Sequence, residues 1–205
     1  ETKDRYKFPF EGMDWIQKNH SKHFQDMFVL SAYQGKRDGS YLEIGSGDPF
    51  VHNNTALLEE EFGWKGISVD ISEALCYSFR ESRRNTVVCA DATQMHCVDN
   101  KIDYLQIDCD DYSIAVLEKI PFARYKFGIV TFEHDSYRLG TDKKFQAKRI
   151  LENHGYVCVV SNVSFTEGYP YEDWYYHPDV IEIPEEMKSK KDVNFIWDYM
   201  MEPLK

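Results

Sequence analysis

A chain of 205 residues, 42% hydrophobic and 15% aromatic, fills one core well and is short for two, so a single domain over residues 1–205 is expected. A formal net charge of -11 argues against a nucleic-acid backbone as partner, because phosphate binding needs clustered Lys and Arg. No stretch reaches the ~18 apolar residues of a membrane-spanning helix, and none of the five cysteines forms a C-x-x-C pair, so they read as buried thiols in a reducing compartment.

In chain order, residues 14–34 place Trp15, Ile16, Phe24, Met27, Phe28 and Ala32 near one side, which predicts a helix closed by Gly35 within an N-terminal helical segment, 1–37. A rhythm then begins. Strand "YLEIG" (41–45) is followed by helix 54–62 with Gly63 at its end. Strand 65–71 leads to helix 72–84, N-capped by Ser72. Strands follow at 86–90 and 102–108, then a helix from about residue 113 to 120 and a strand at 127–133. Helix 142–154 ends at Gly155, strand 156–163 follows, and a seventh strand is expected in "EDWYYH" (172–177). Arg80, Arg83 and Arg84 read as a solvated helix face. The extension 179–205 carries Phe195, Ile196, Tyr199 and Met200 in a pattern that packs on the core or on a second copy of the chain.

Short apolar strands separated by helices predict an α/β fold: a doubly wound, mostly parallel seven-stranded sheet with helices on both faces and a core over 38–178. Ligands of such sheets bind outside the carboxyl ends of the strands. Those ends read Glu43-Ile44-Gly45-Ser46-Gly47, Asp70-Ile71, Asp91-Ala92, Asp108-Cys109-Asp110-Asp111 and Glu133-His134-Asp135, each with at least one acid. A dinucleotide turn needs a third glycine where this chain has Phe50, and no Gly-Lys-Ser/Thr follows. Glu43 beside the turn favours a cationic ligand such as S-adenosylmethionine, with its ammonium and sulfonium. Asp70 suits two ribose hydroxyls. Asp91 and Ala92 suit an adenine edge, and Gly45, Ser46 and Gly47 let the backbone approach closely. Asn54, with Asn53, either touches that ligand or caps the following helix.

"YLEIGSG", "ISVDI", "CADAT" and "IDYLQIDCDD", in this order, resemble the motifs of class I S-adenosylmethionine-dependent methyltransferases. "YKFGIVTFEHDSYR" and "GYVCVVSNV" resemble the FkbM-like branch that methylates sugar hydroxyls. The resemblance implies a Rossmann-like methyltransferase fold, an S-adenosylmethionine cofactor and O-methylation of a sugar or glycan. With Glu1 at the start instead of Met, it also suggests a module of a larger glycan-building protein, bacterial or viral, working in the cytoplasm.

Methyl transfer to a hydroxyl is an in-line displacement that needs alignment and a base, or a metal, to take up the acceptor proton. His134, flanked by Glu133 and Asp135, is the expected base, with Glu133 orienting its imidazole. Asp108 is the second candidate, toward the cofactor ammonium or the acceptor hydroxyl. Asp108, Glu133 and His134, helped by Asp135, form the set that Mg²⁺ or Mn²⁺ would use if the reaction were metal-assisted. Tyr137, Arg138, Tyr169, Tyr171, Trp174, Tyr175, Tyr176 and His177 are the expected acceptor side, aromatic faces suiting a sugar ring. Two rival readings are a metal-assisted O-methyltransferase of phenols or polyketides, and a non-catalytic assembly module.

Overall fold

A computed structural model describes residues 4–94, 102–188, 191–193 and 195–203; His96 and Cys97 lie outside them. The strands are β1 (Asp4–Tyr6), β2 (Ser40–Ile44), β3 (Lys65–Asp70), β4 (Thr86–Cys89), β5 (Ile102–Ile107), β6 (Phe127–Glu133), β7 (Val157–Val163), β8 (Glu172–Tyr176), β9 (Lys191–Asp192) and β10 (Met201–Pro203). The helices are α1 (Gln25–Ala32), α2 (Ala56–Phe62), α3 (Glu73–Ser82), α4 (Ser113–Leu117), α5 (Ser136–Leu139), α6 (Asp142–Asn153) and α7 (Ile196–Met200). No helix among the described residues is long and apolar enough to cross a membrane.

All seven expected strands pair in one sheet, in the order β4-β3-β2-β5-β6-β8-β7, and the two-residue β9 adds an eighth at the β7 edge. Pairing is parallel except at β8, which runs antiparallel to both β6 and β7. The order reverses between β2 and β5, so the turns after these two strands flank the crevice where doubly wound sheets bind ligands.

Side chains of a strand alternate between faces, and here both faces are covered. Tyr41, Tyr104, Ile129 and Trp174 pack into one core with α1, α2 and the terminal segments. Their neighbours Leu42, Leu105, Val130 and Tyr175 pack into the other, which includes Leu117 of α4 and Ala147 and Leu151 of α6. Ser72 caps α3 as expected, its side chain accepting from Leu75 N at 3.4 Å.

Two expectations are corrected, and one open alternative is decided. The helix expected over 14–34 is only α1, preceded by a 3₁₀ turn at Met13–Trp15. Phe24 sits at φ 68, left-handed, which no α-helix passes through. The buried Asp26 carboxylate instead takes the N–H groups of His20, Ser21 and Met27 and the Ser21 hydroxyl, folding residues 20–24 back over the start of α1. Arg83 is not on a solvated face: its side chain is fully buried, while Arg80 and Arg84 are exposed. The C-terminal segment packs on this chain's own core through Ile196, Tyr199 and Met200, and β10 pairs with β1.

Candidate active site

Two adjoining cavities open at the carboxyl ends of the strands. One, of about 580 Å³, lies along the glycine turn and includes Gly45, Ser46, Gly47, Asp70, Ile71, Asp91, Ala92 and Asp108 in its wall. The other, of about 430 Å³, holds Asp108, Glu133 and Asp135 with Tyr137, Tyr169 and Tyr171. Asp108 and His52 belong to both walls, so the two cavities meet there.

The glycine turn is built by close backbone approach. Gly45 has φ +80, and a Cβ on it would stand 1.5 Å from the Asp108 carbonyl oxygen. The β2 and β5 turns therefore touch at a position only glycine fits. Gly47, φ +62, faces open space, with nothing within 4 Å of where its Cβ would be. Its N–H donates to Asp70 Oδ2 at 2.9 Å, and Ser72 N donates to Asp70 Oδ1 at 2.8 Å. Asp91 is exposed and takes both the N–H and the hydroxyl of Thr93, which hold its carboxyl below the usual range. The buried Ser46 hydroxyl has no partner among the described residues.

Glu43 lines neither cavity. It shares a face with Tyr41, and its buried carboxylate accepts from Ser68 Oγ at 2.6 Å and Thr55 Oγ1 at 3.0 Å. The cation near it is Arg83 of the chain itself, not a ligand. Burial pushes the Glu43 carboxyl up, against the pull of Arg83 and the two hydroxyls. Arg83 also pairs with Glu59 at 2.7 Å and donates to the Pro49 carbonyl, Asn53 Oδ1 and Thr55 Oγ1. This hub ties the loop after the glycine turn to α2 and the end of α3. Asn53 caps α2, accepting from the N–H groups of Thr55 and Ala56. Asn54 instead lines the aromatic cavity, its buried Oδ1 without a partner among the described residues.

Strand parity also separates Glu133 from His134. Ile129, Thr131 and Glu133 face the α1 layer; Val130, Phe132 and His134 face the α4 and α6 layer. Glu133 therefore enters the aromatic cavity, while His134 is buried away from both cavities. His134 Nε2 lies 3.3 Å from Asp173 Oδ1, and its Nδ1 accepts from Ser136 N at 3.1 Å. Burial works to raise the Asp173 carboxyl, but the His134 contact and Lys144 outweigh it and hold the carboxyl low. The catalytic and metal sets that included His134 thus do not converge. His177 likewise turns to the His154 carbonyl, and Trp174 and Tyr175 are core residues.

Asp108 and Glu133 do converge. Their carboxyls hydrogen-bond to each other, and burial, then their mutual charge and that of Asp135, pushes Glu133 up strongly. Burial raises Asp108 as well, so the pair holds a proton at neutral pH. Glu133 Oε2 has no partner among the described residues. Beneath them Glu172 accepts from Gln25 Nε2 and Trp174 Nε1, both at 2.9 Å, and burial lifts it to about 8. Asp110, Glu133 and Asp135 place carboxylate oxygens within 4.8 Å of one another, a separation suited to a cation. Arg138 already sits on this group, 2.7 Å from Asp135 and 3.8 Å from Asp110.

Sequence reasoning missed Lys22, His23, Gln25, His52 and Phe165, all in the wall of the aromatic cavity. Gln25 opens α1, and Lys22 and His23 are brought there by the Asp26 fold-back. Its local signal was Ser21 and Asp26 spaced to close a turn, hidden by the approximate helical pattern.

No family model and no curated protein sequence matches the chain. Solved structures do. A TehB-like SAM-dependent methyltransferase from Corynebacterium glutamicum superposes with a TM-score of 0.53 at 14% identity, covering 75% of this chain and 86% of that one. S-adenosylmethionine-dependent methyltransferases from Clostridium acetobutylicum (0.52, 11% identity, 80% and 93% covered) and Aquifex aeolicus (0.52, 15%, 75% and 90%) are similar to the same degree. The fold is the Rossmann-like methyltransferase fold.

Proposed function

We propose that the chain is an S-adenosylmethionine-dependent O-methyltransferase acting on a hydroxyl of a sugar or glycan. The observation that carries this is the meeting of the two cavities at Asp108: one along a glycine turn, the other combining a proton-sharing carboxyl pair with aromatic rings.

The glycine-turn cleft fits the cofactor. Gly47 leaves room beside the backbone, and Ser46 Oγ offers an unused polar atom. Asp70 spends one hydrogen bond on each oxygen and keeps lone pairs for ribose hydroxyls. Ile71, 74% exposed, and Ala92 offer apolar surface for a purine, with Asp91 at its edge. Glu43 holds the turn from behind. Bound there, S-adenosylmethionine supplies an electrophilic methyl group.

The residues of the aromatic cavity do the rest. Tyr137 and Tyr169 present faces to the apolar side of a sugar ring, and Asn54, Asp135 and Glu133 accept or donate to its hydroxyls. Asp108 lies at the junction and takes the acceptor proton, in the role first expected of His134. Its raised carboxyl is a stronger base than an ordinary aspartate, and the proton that the pair already holds stays on Glu133, which leaves Asp108 the anion that accepts. Arg138 rather than a divalent ion balances the acids around it, so chelation is expected to leave the rate unchanged. The convergence of Asp110, Glu133 and Asp135 supports the metal-assisted phenol or polyketide reading as the alternative, and loss of activity on chelation would select it.

Two measurements test the proposal. Calorimetric titration with S-adenosylhomocysteine is expected to show binding; no binding at millimolar ligand sinks every enzyme reading. A screen of methyl glycosides of hexoses, 6-deoxyhexoses and pentoses with labelled cofactor, read by mass, is expected to show a mass gain of one methyl group.

A further inference from the structure

The wall of the aromatic cavity carries polar atoms that the fold leaves unused. His23 and Asn54 line it and are each 4% exposed. Among the described residues, neither ring nitrogen of His23 has a hydrogen-bond partner, and Asn54 Oδ1 and Glu133 Oε2 have none either. Native folds rarely leave buried polar groups unpaired. Three such residues around one cavity point to a ligand that completes them.

The His23 ring is held in place while its nitrogens stay free. Its backbone N–H donates to Gln25 Oε1 at 3.0 Å, and Gln25 in turn donates to the buried Glu172. The ring lies against Tyr171 at 4.7 Å and Phe165 at 5.1 Å between centroids. Two ring neighbours and an anchored backbone thus position the imidazole before any ligand arrives. Burial first, then the charges of Lys22 and His52, push it down to about 4, so at neutral pH it is uncharged: one nitrogen donates and the other accepts. A hydroxyl pairs with either nitrogen, because it too donates and accepts. Asn54 Oδ1 needs a donor, which an ionised carboxylate or a ketone does not offer.

We propose that His23 is a specificity-determining residue: it holds a second, unmethylated hydroxyl of the acceptor ring, so that only a ring with that hydroxyl free is methylated efficiently. This rests on the sugar reading above and narrows it from any sugar hydroxyl to a ring recognised through two. Asp108, at the junction with the cofactor cleft, takes the proton of the reacting hydroxyl. His23 reaches the cavity on a separate segment, the fold-back of residues 20–24, so the two contacts come from different parts of the fold. A ring lacking the second hydroxyl leaves the imidazole covered and unpaired. Sites of this kind reject such analogues far more strongly than an apolar pocket rejects a missing methylene.

The test uses each methyl glycoside that the screen finds methylated, together with its monodeoxy derivatives at the other hydroxyls. One derivative is expected to show a kcat/KM about 100-fold below its parent. His23→Phe keeps a ring between Phe165 and Tyr171 and removes both nitrogens. In this variant the ratio is expected to shrink to about threefold or less, with S-adenosylhomocysteine affinity within about twofold of wild type. His23→Gln, which keeps a donor and an acceptor, is expected to retain a ratio of about tenfold or more. A histidine that only shapes the fold would lower parent and derivative alike and leave the ratio unchanged. Should His23→Phe fold poorly, ring-nitrogen NMR of the wild-type protein with S-adenosylhomocysteine supplies a second readout. The His23 resonances, identified by their absence in His23→Gln, are expected to shift with the parent glycoside and not with that derivative. No derivative as much as tenfold below its parent, a ratio as large in His23→Phe as in wild type, or unmoved His23 resonances overturns this role and leaves the sugar reading intact. Cofactor binding with no methylation of any glycoside sinks the sugar reading and the role of His23 together.

Discussion

The two cavities use the same residue type in opposite ways. Asp70 and Asp91, along the glycine turn, are bonded within a few residues or across one turn by backbone N–H groups and a hydroxyl, and Asp91 is exposed and held low. Asp108, Glu133 and Glu172, in or under the aromatic cavity, are buried against each other, and all three are pushed up. Charge state here follows the supply of donors and water, not the identity of the side chain. Under the proposed function this contrast separates a cofactor cleft whose acids accept hydroxyls from an acceptor cavity whose acids hold and move a proton.

The largest effect on this contrast is expected from Gly45→Ala, which joins both regions. A methyl group 1.5 Å from the Asp108 carbonyl cannot be accommodated, so the β2 and β5 turns must separate. The loss should exceed the ~1–3 kcal/mol of a strained φ alone, with cofactor binding abolished, by thermal denaturation and titration. Next is Arg83→Met, which leaves Glu59 and Glu43 buried without their cation; urea denaturation should report a loss of about 3–5 kcal/mol.

A direct comparison comes from two aspartates. Asp108→Asn should lower methyl transfer about 100-fold or more with cofactor affinity largely kept, whereas Asp70→Asn should weaken cofactor affinity about tenfold with a smaller change in kcat. Equal effects of both on affinity would erase the distinction between the cavities.

The pH dependence sharpens it further. Glu172 rises from 4.5 to about 8 on folding, so the folded chain binds more protons than the unfolded chain across that window. Its stabilising contribution is complete below about pH 4.5 and is lost as pH rises toward and through 8. Glu172→Gln keeps an acceptor for Gln25 and Trp174 and removes this slope, at most about 1.4 kcal/mol per pH unit; it should be more stable at pH 8, relative to pH 5, than wild type in urea titrations. The smallest effect on turnover is expected from His134→Gln: a stability loss of about 1–3 kcal/mol, with methyl transfer within about threefold of wild type. A drop of 100-fold would return the base to His134.

Much of the architecture was legible because it is encoded locally. Seven short apolar strands with intervening helices specify the sheet, and the glycines and acids at strand ends mark the binding edge. Asn53 and Ser72 cap the helices they precede. What escaped was often a matter of parity. Adjacent residues of a strand face opposite layers, so Glu133 and His134 could not both enter one site, and Glu43 had to face α2. That much was available from the alternation in "FGIVTFEH", once the neighbours were assigned to layers. Arg83 was not available: in sequence it is one of three basic residues on a polar helix, and only its position against Glu59, 24 residues away, buries it.

By itself the sequence determined the succession of strands and helices along the chain and the chemical character of each strand end, because φ/ψ preferences, caps and periodicity act over a few residues. Only the tertiary structure decided which acids share a proton, which cation answers Glu43, and that the fold-back at Asp26 carries Lys22 and His23 to the far wall of the aromatic cavity. Those outcomes depend on burial and on partners distant in the chain, and desolvation is a property of a place in the fold rather than of a residue.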